Sequence, residues 1–487
     1  MIPVREFEGQ TIGVFGLARS GLAAVRSLRE GGAEVIAYDD KEPGREAAAA
    51  AGAEIAEFSR WPWGGLAALV LSPGVPLTHP APHPIVRLAQ SAGVPIIGDI
   101  ELFALSIGHL ATDRLGARIR PPIAAITGTN GKSTTTALLG HILGRTGMTV
   151  QTGGNIGKPV LELDPPTENS VYVLELSSYQ IDLVRSLRPS VAALLNLTPD
   201  HLDRHGNMEN YARVKARLLQ NVAKNGTAVI GIDGPYTEGI FTELWAQSGR
   251  RVVPISVGKA LGFGVFVING VLYDGTRSPA SEIEDLRGLE NLKGAHNWQN
   301  AAAAYAMAEA LGRDRQAIAR AMHTFPGLAH RMEIAGELGG IKFINDSKAT
   351  NADAASKALA CYDPIYWIAG GQPKSGGIDS LDKFFPRIAR AFLIGEAAAA
   401  FEGTLKKSHV ACVQCGDLET ATRRALEDAR AEDREGATVL FSPACASFDQ
   451  FKDFEDRGDA FKRIVRKLEE EAGDNVTKGL IAVREIS

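Results

Sequence analysis

A chain of 487 residues is too long for one ordinary core, and at roughly 150 residues per domain it suggests about three domains. Hydrophobic residues make up 45% and charged residues 22%, the balance of a folded globular protein and not of a disordered or fibrous one. Lysine plus arginine number 52 and aspartate plus glutamate 57, so the net charge of −5 gives no electrostatic reason to expect nucleic acid or an anionic membrane.

Four cysteines (Cys361, Cys412, Cys415 and Cys445) make no disulfide framework and point to a reducing compartment. Cys412 and Cys415 form a lone C-x-x-C without a second pair or metal-spaced histidines, and read as strand-end thiols. Met1 to Gln10 lack a basic-then-apolar signal, and no apolar run approaches the ~18 residues of a membrane span. A soluble, cytoplasmic protein is expected.

The first part alternates short apolar runs with helical stretches: Thr11 to Phe15, Ser20 to Glu30, Glu34 to Tyr38, Glu42 to Ala51, Ala67 to Leu71, Pro82 to Ala92 and Val94 to Ile97. That rhythm predicts a parallel sheet covered by helices. A helix over Asp99 to Ile107 follows, then a polar linker, Gly108 to Arg120. A second α/β block has strands at Ile123 to Thr127, Val171 to Glu175 and Ser190 to Leu197, and helices over Tyr211 to Val222 and His296 to Leu311. Within it, Val265 to Ile268 and Val271 to Tyr273 flank Asn269-Gly270, which predicts a hairpin with a type I′ turn. A third block begins near Pro326-Gly327, with strands at Ile365 to Ala369, Ala391 to Ile394, Val410 to Val413 and Thr438 to Phe441. The alanine-rich Ala47 to Ala51 and Ala397 to Ala400 read as helix segments. A poorly ordered end is expected from about Gly473.

Thr127-Gly128-Thr129-Asn130-Gly131-Lys132-Ser133-Thr134 follows an apolar strand and precedes a helical run. A strand, a glycine-rich turn and a helix N-terminus are what a triphosphate needs. Backbone N–H groups surround its oxygens, Lys132 neutralises the outer phosphates and the Ser133 hydroxyl can hold Mg2+. Ile126 stands where the general motif has its first glycine, so this is a variant loop. Glu175 ends the next strand, and Asn196, Asp200 and His201 follow another, where open α/β sheets bind ligands. His201 and His205 lack a convincing third zinc ligand. Lys215, taken alone, reads as a surface lysine. In the first block Gly13, Gly16 and Gly21 do not form G-x-G-x-x-G, yet the turn still makes an anion site suited to a diphosphate, with Asp39 placed for a nucleoside. Ser447 and Cys445 have no histidine close in sequence as an activating base, and read as substrate-binding and not nucleophilic.

The phosphate loop, Gly153-Gly154-Asn155-Ile156-Gly157, Glu175-Leu176-Ser177-Ser178, Asp200-His201-Leu202-Asp203, His296-Asn297 with Asn300, His330-Arg331 and Asn345 to Asn351 occur in this order. From about Gly13 to about Leu468 the succession resembles the Mur ligase family, the ATP-dependent amino-acid ligases of peptidoglycan precursor synthesis. Asp346 to Asn351, Gly370 to Lys374 and Ser442 to Phe451 look most like the D-glutamate-adding members, and the Asp-Asn-Pro-Arg motif of the diaminopimelate-adding relative is absent.

The resemblance implies three α/β domains: a Rossmann-like sugar-nucleotide domain (1–118), a P-loop ATP domain (119–326) and a Rossmann-like amino-acid domain (327–487). The implied substrates are UDP-N-acetylmuramoyl-L-alanine, D-glutamate and ATP, with Mg2+ at two sites and a monomer expected. Catalytic roles would fall to Lys132, His201, Lys215, Arg331 and Lys348. ATP would meet Gly128, Thr129, Asn130, Gly131, Lys132, Ser133, Thr134, Asn297, Asn300, Arg331 and Asp346. One metal would sit on Ser133 and Glu175, the second on His201 and a carbamylated Lys215. The UDP-substrate would meet Arg19, Ser20, Asp39, Asp40, Ser72, Gly74, Asn155 and Ser177, and D-glutamate would meet Lys348, Thr350, Lys374, Ser447, Phe448 and Phe454. Alternatives are another Mur ligase, a folylpolyglutamate synthetase or, outside enzymes, an ATP-gated binding protein.

Overall fold

The computed structural model describes residues 1–109, 120–247, 249–374 and 376–484, with only the backbone from 473 onward. Most of the expected linker therefore lies outside the described residues. The chain forms two compact units, Met1–Leu289 with Ala295–Phe325, and Glu290–Gly294 with Pro326–Ser487.

The first unit holds two sheets. β1 (Thr11–Phe15), α1 (Arg19–Glu30), β2 (Glu34–Tyr38), α2 (Glu42–Ala50), β3 (Glu54–Ile55), β4 (Leu66–Leu71), α3 (Pro84–Ser91), β5 (Ile96–Ile97) and α4 (Asp99–Ser106) build a five-stranded sheet of order β3-β2-β1-β4-β5. All its pairs are parallel, as the alternating runs predict. The strand order reverses direction between β1 and β4, so the ends of these strands at Phe15 and Leu71 flank a ligand crevice.

The second sheet follows: β6 (Ile123–Thr127), α5 (Lys132–Arg145), β7 (Thr149–Gly154), β8 (Ser170–Glu175), α6 (Ser178–Asp182), β9 (Val191–Leu194), α7 (Leu202–His205), α8 (Met208–Gln220), β10 (Thr227–Gly231), α9 (Pro235–Ala246), β11 (Arg251–Val257), β12 (Val265–Ile268), β13 (Val271–Asp274), β14 (Ser281–Asp285), α10 (Ala295–Ala310) and α11 (Arg315–His323). Its order is β14-β13-β12-β11-β10-β9-β6-β8-β7, which puts β6 at the switch point between β8 and β9. Every residue of β6 and β8 is buried, hence the unbroken apolar runs of a strand covered on both faces. The Asn269-Gly270 hairpin forms with positive φ at both positions, 50° and 83°, as a type I′ turn requires.

The second unit comprises β15 (Glu333–Leu338), β16 (Ile341–Asn345), α12 (Ala352–Leu359), β17 (Ile365–Gly370), β18 (Ile388–Ile394), α13 (Ala398–Lys407), β19 (Cys412–Gly416), α14 (Leu418–Glu432), β20 (Thr438–Phe441) and α15 (Phe454–Arg484). Its sheet order is β15-β16-β20-β17-β18-β19, parallel except for the β15–β16 hairpin at one edge. Two expectations need correction. The β15–β16 hairpin was absent from the sequence reading, because Gly336 and Gly339-Gly340 interrupt its alternation. β19 starts two residues later than expected, since His409 turns the chain with φ 58°. The backbone is helical past Gly473 to Arg484.

Trp367 is fully buried in this sheet and donates through Nε1 to the Ser442 carbonyl at 2.8 Å. Trp367→Ala should destabilise the second unit by about 3–5 kcal/mol, seen as a lowered midpoint in chemical denaturation followed by circular dichroism.

Candidate active site

The loop after β6 leaves the sheet at the switch point and returns as α5, whose N-cap Gly131 has φ 83°. A methyl group at Gly131 would lie 2.2 Å from Asn300 Oδ1, so only glycine fits both the conformation and the space. Side chains from three directions hold the loop. Asn196, just past β9, accepts from the Asn130 N–H (2.9 Å), donates to the Asn130 carbonyl (3.3 Å) and reaches Gln299 (2.9 Å). The Thr129 hydroxyl meets the Thr198 carbonyl and the Tyr211 hydroxyl, both at 3.2 Å. Thr135, one turn into α5, donates to Asn300, which in turn donates to Asn297. The loop's own carbonyls occupy Lys132: its Nζ donates to Gly128 (3.1 Å) and Thr129 (2.8 Å).

Lys215 overturns its surface reading. It lies on α8 with 1% of its surface exposed, donating to Thr127 Oγ1 (3.0 Å) and the Gly128 carbonyl (2.9 Å), with the Tyr211 ring 5.0 Å away. Burial, and then the charge of Lys132, push its pKa well below the usual lysine value, against the pull of Asp200 and Glu175. The folded chain therefore holds the Lys215 proton more weakly than water holds that of an exposed lysine.

Glu175, at the end of β8, is buried; its Oε1 accepts from Asn155 Nδ2 at 2.7 Å, while Oε2 is buried without a partner among the described residues. A buried carboxylate oxygen left unpaired fits a cation, and Ser133 supplies a further hard donor in the same sheet-end region. His201 adopts φ 52°, is about half exposed and sits 3.4 Å from Asp200 Oδ2. His205 is different: buried and bonded to Ser178 Oγ (2.9 Å), its pKa falls to about 4 through burial and the nearby Lys215 and Arg204, so it stays neutral. Among the described residues no group of three histidine, cysteine or acidic side chains stands ready for a metal. Ser177 caps α6 in a reciprocal pair with Gln180.

Around the first sheet's crevice, Asp39 accepts from the Leu17 and Lys41 N–H groups, and Arg45 donates to the carbonyls of Asp39 and Asp40. Asp39 thus shapes the turn with both oxygens. Arg19 and Ser20 begin α1, and Arg19 reaches the Gly157 carbonyl at 2.6 Å, beside Asn155. Ser72 crowds Gly16, where a Cβ would come within 2.5 Å of the Ser72 Cβ, while Gly74 faces open space.

In the second unit, Asp346 is buried, accepting from Ser442 Oγ (2.7 Å) and the Met332 N–H (3.2 Å). Burial raises its pKa to about 7, opposed by those hydrogen bonds and by Arg331. Lys348 places Nζ 3.5 Å from the Phe454 ring centre, and the Thr350 N–H donates to the Lys348 carbonyl. Ser447 is buried, whereas Phe448 and Lys374 are exposed. Cys445 is buried with its thiol pKa pushed up to about 12, which excludes a thiolate nucleophile. Cys412 and Cys415 share β19 as free thiols. Sequence reasoning missed Arg457, buried on α15, whose guanidinium donates to Ser347 Oγ and to the carbonyls of Ser347, Cys445 and Ala446. It joins the segments carrying Lys348 and Ser447.

The chain belongs to the Mur ligase family, whose members are ATP-dependent amide-forming ligases: the Mur ligase middle domain matches residues 126–308 and the Mur ligase glutamate ligase domain residues 330–445. The UDP-N-acetylmuramoylalanine–D-glutamate ligase of Phenylobacterium zucineum is 54% identical, covering 97% of this chain and 100% of the relative. The protein of that name from Nitrobacter winogradskyi is 53% identical over 96% of this chain and 98% of its own. Among solved structures, the UDP-N-acetylmuramate-alanine ligase of Thermotoga maritima shares the fold at a TM-score of 0.55 and 17% identity, covering 95% of this chain and 99% of that one. No helix among the described residues is long and apolar enough to cross a membrane.

Because the folded pKa of Asp346 (about 7) exceeds the ordinary 3.8, its contribution to stability is fully present below about pH 4 and is lost as pH rises through 7. Asp346→Asn, which mimics the protonated form, should flatten that part of the stability profile measured by denaturation between pH 4 and 8.

Proposed function

We propose that this enzyme joins D-glutamate to UDP-N-acetylmuramoyl-L-alanine at the expense of ATP, a step of peptidoglycan precursor assembly that serves cell-wall growth, cell shape and division. The observation that carries the reading is Lys132 held over a glycine-rich loop at the switch point of a sheet that also presents the buried, unpaired Oε2 of Glu175. The names of relatives 50–54% identical over nearly the whole chain support the choice of substrates.

In this reading residues 1–118 hold the sugar nucleotide, 119–326 the ATP and 327–487 the amino acid. The γ-phosphoryl group passes from ATP to the alanyl carboxylate, giving an acyl phosphate and ADP. The D-glutamate amine then attacks the acyl carbon, the carbon–oxygen bond to phosphate breaks, the amine loses a proton and an amide forms. Lys132 and Arg331 offset charge on the γ-phosphate, Asn297, Asn300 and Asp346 serve adenine and ribose, and Lys348, Thr350, Lys374, Ser447, Phe448 and Phe454 serve D-glutamate. Mur ligases use Mg2+; here Ser133 with Glu175, and His201 with carbamylated Lys215, would hold two ions that offset phosphate charge when bound. The depressed pKa of Lys215 supports the carbamate, because the neutral amine can add to the carbon of CO2 with loss of one proton. A cytoplasmic monomer fits this role.

Lys132→Ala should lower ATP-dependent ligation by about 100-fold or more with an unchanged circular dichroism spectrum; the mass of the product made from the three substrates by the wild type is the direct check, and near-normal turnover in the variant would refute the assignment. Lys215→Ala should lose most activity and recover part of it with added short carboxylates. Absence of rescue together with an unmodified Lys215 in the wild-type intact mass would refute the carbamate.

A further inference from the structure

Arg204 lies three residues beyond His201 on the single turn α7, yet its side chain serves the other sheet of the same unit. Its Nη2 donates to the carbonyl oxygens of Pro73 (3.3 Å) and Val75, in the loop that follows β4. Its guanidinium carbon stands 5.2 Å from the Tyr179 ring centre, and that ring in turn contacts His201 (5.1 Å) and His205 (5.7 Å). Its Nη1 is buried with no partner among the described residues, the condition of a donor whose acceptor arrives with a ligand. The same loop is pressed from a second point: Gly206 has φ 83°, and a methyl group there would come within 2.9 Å of the His79 ring. On its far side the loop packs on the anion turn of the first sheet, with Ser72 against Gly16 and the Ser72 N–H bonded to the Phe15 carbonyl.

We propose that Arg204 is a positioning residue for the nucleoside-diphosphate sugar: it fastens the Ser72–Val75 loop to the His201 turn and so sets the separation between the diphosphate crevice and the site of acyl transfer. Two carbonyls on one side and an aromatic face on another suit a flat guanidinium and not a point charge, so lysine replaces it only in part. The inference rests on the substrate reading given above.

The test compares the wild type with Arg204→Ala and Arg204→Lys. Arg204→Ala should raise KM for UDP-N-acetylmuramoyl-L-alanine about ten-fold, equivalent to about 1.4 kcal/mol, while KM for ATP and for D-glutamate stay within about two-fold. Arg204→Lys should fall between, and millimolar guanidinium ion should recover part of the loss in Arg204→Ala. Calorimetry with the UDP-sugar and no ATP reads the same change as weaker binding. Should Arg204→Ala fail to fold, Gly206→Ala, which pushes the loop through His79, should show the same selective rise. An unchanged KM for the UDP-sugar, or an equal rise for all three substrates, would overturn the proposal. Failure of the wild type to bind the UDP-sugar would instead sink the substrate reading, and the inference with it.

Discussion

One carbonyl oxygen, that of Gly128, receives two lysine amines: Lys132 at 3.1 Å and Lys215 at 2.9 Å. Two ammonium groups on one acceptor repel each other, and the buried one is the more costly to keep charged. Lys215 therefore gives up its proton readily, with burial the larger cause and Lys132 the second. The end of β6 thereby puts two otherwise identical side chains in different electrostatic settings, the buried one with the weaker hold on its proton. The braces around it lie on the residues that follow: Asn196 holds the Asn130 N–H, Tyr211 the Thr129 hydroxyl and Asn300 the Thr135 hydroxyl.

The phosphate loop was legible because its chemistry is local: strand, turn and helix start lie within a dozen residues, and each part has a side-chain signature. Lys215 was misread for a reason visible in retrospect. Met208, Tyr211, Ala212, Lys215, Ala216 and Leu219 share the buried stripe of α8, so the lysine occupies a core position of the 3.6-residue period. A charged residue on an apolar stripe is a stronger signal than its neighbours' motifs, and the same test would have found Arg457, which precedes Phe461, Val465 and Leu468 at helical spacing on α15. Asn196 stood out by its place after a strand, but its bonds to Gln299 and Asn130 did not, because the partners are more than a hundred residues away for one contact and sixty-six for the other. Tertiary pairing of that kind has no local period to read.

Arg457 and Lys215 meet the same problem, a basic group inside the fold, by opposite routes. For Lys215, burial and the charge of Lys132 weaken the hold on the proton. Arg457 retains its charge: burial lowers its pKa only to about 10, so it remains a cation, and its hydrogen bonds to Ser347 and three backbone carbonyls spread that charge over dipoles in place of water. Guanidinium has the donor count and planarity to do this and ammonium does not. Where loops are joined, at Arg457, the cation is the one whose charge survives burial.

The first sheet shows why a missing motif need not mean a missing site. Gly16 and Gly21 are not spaced as in a dinucleotide fingerprint, yet the physical demands on them are equivalent: a Cβ on Gly16, at φ 89°, would strike Ser72, and one on Gly21 would lie 1.9 Å from the Gly16 carbonyl. Close approach of α1 to the turn after β1 is the geometry that an anion site of this kind needs, and any spacing that leaves the Cβ out at those two points achieves it. Asp39 closes the same turn by accepting the Leu17 and Lys41 N–H groups, so its carboxylate builds the crevice wall before any nucleoside is present. A substitution there would alter the wall's shape as well as any contact it makes to a ligand, and the two effects would share one mutant phenotype.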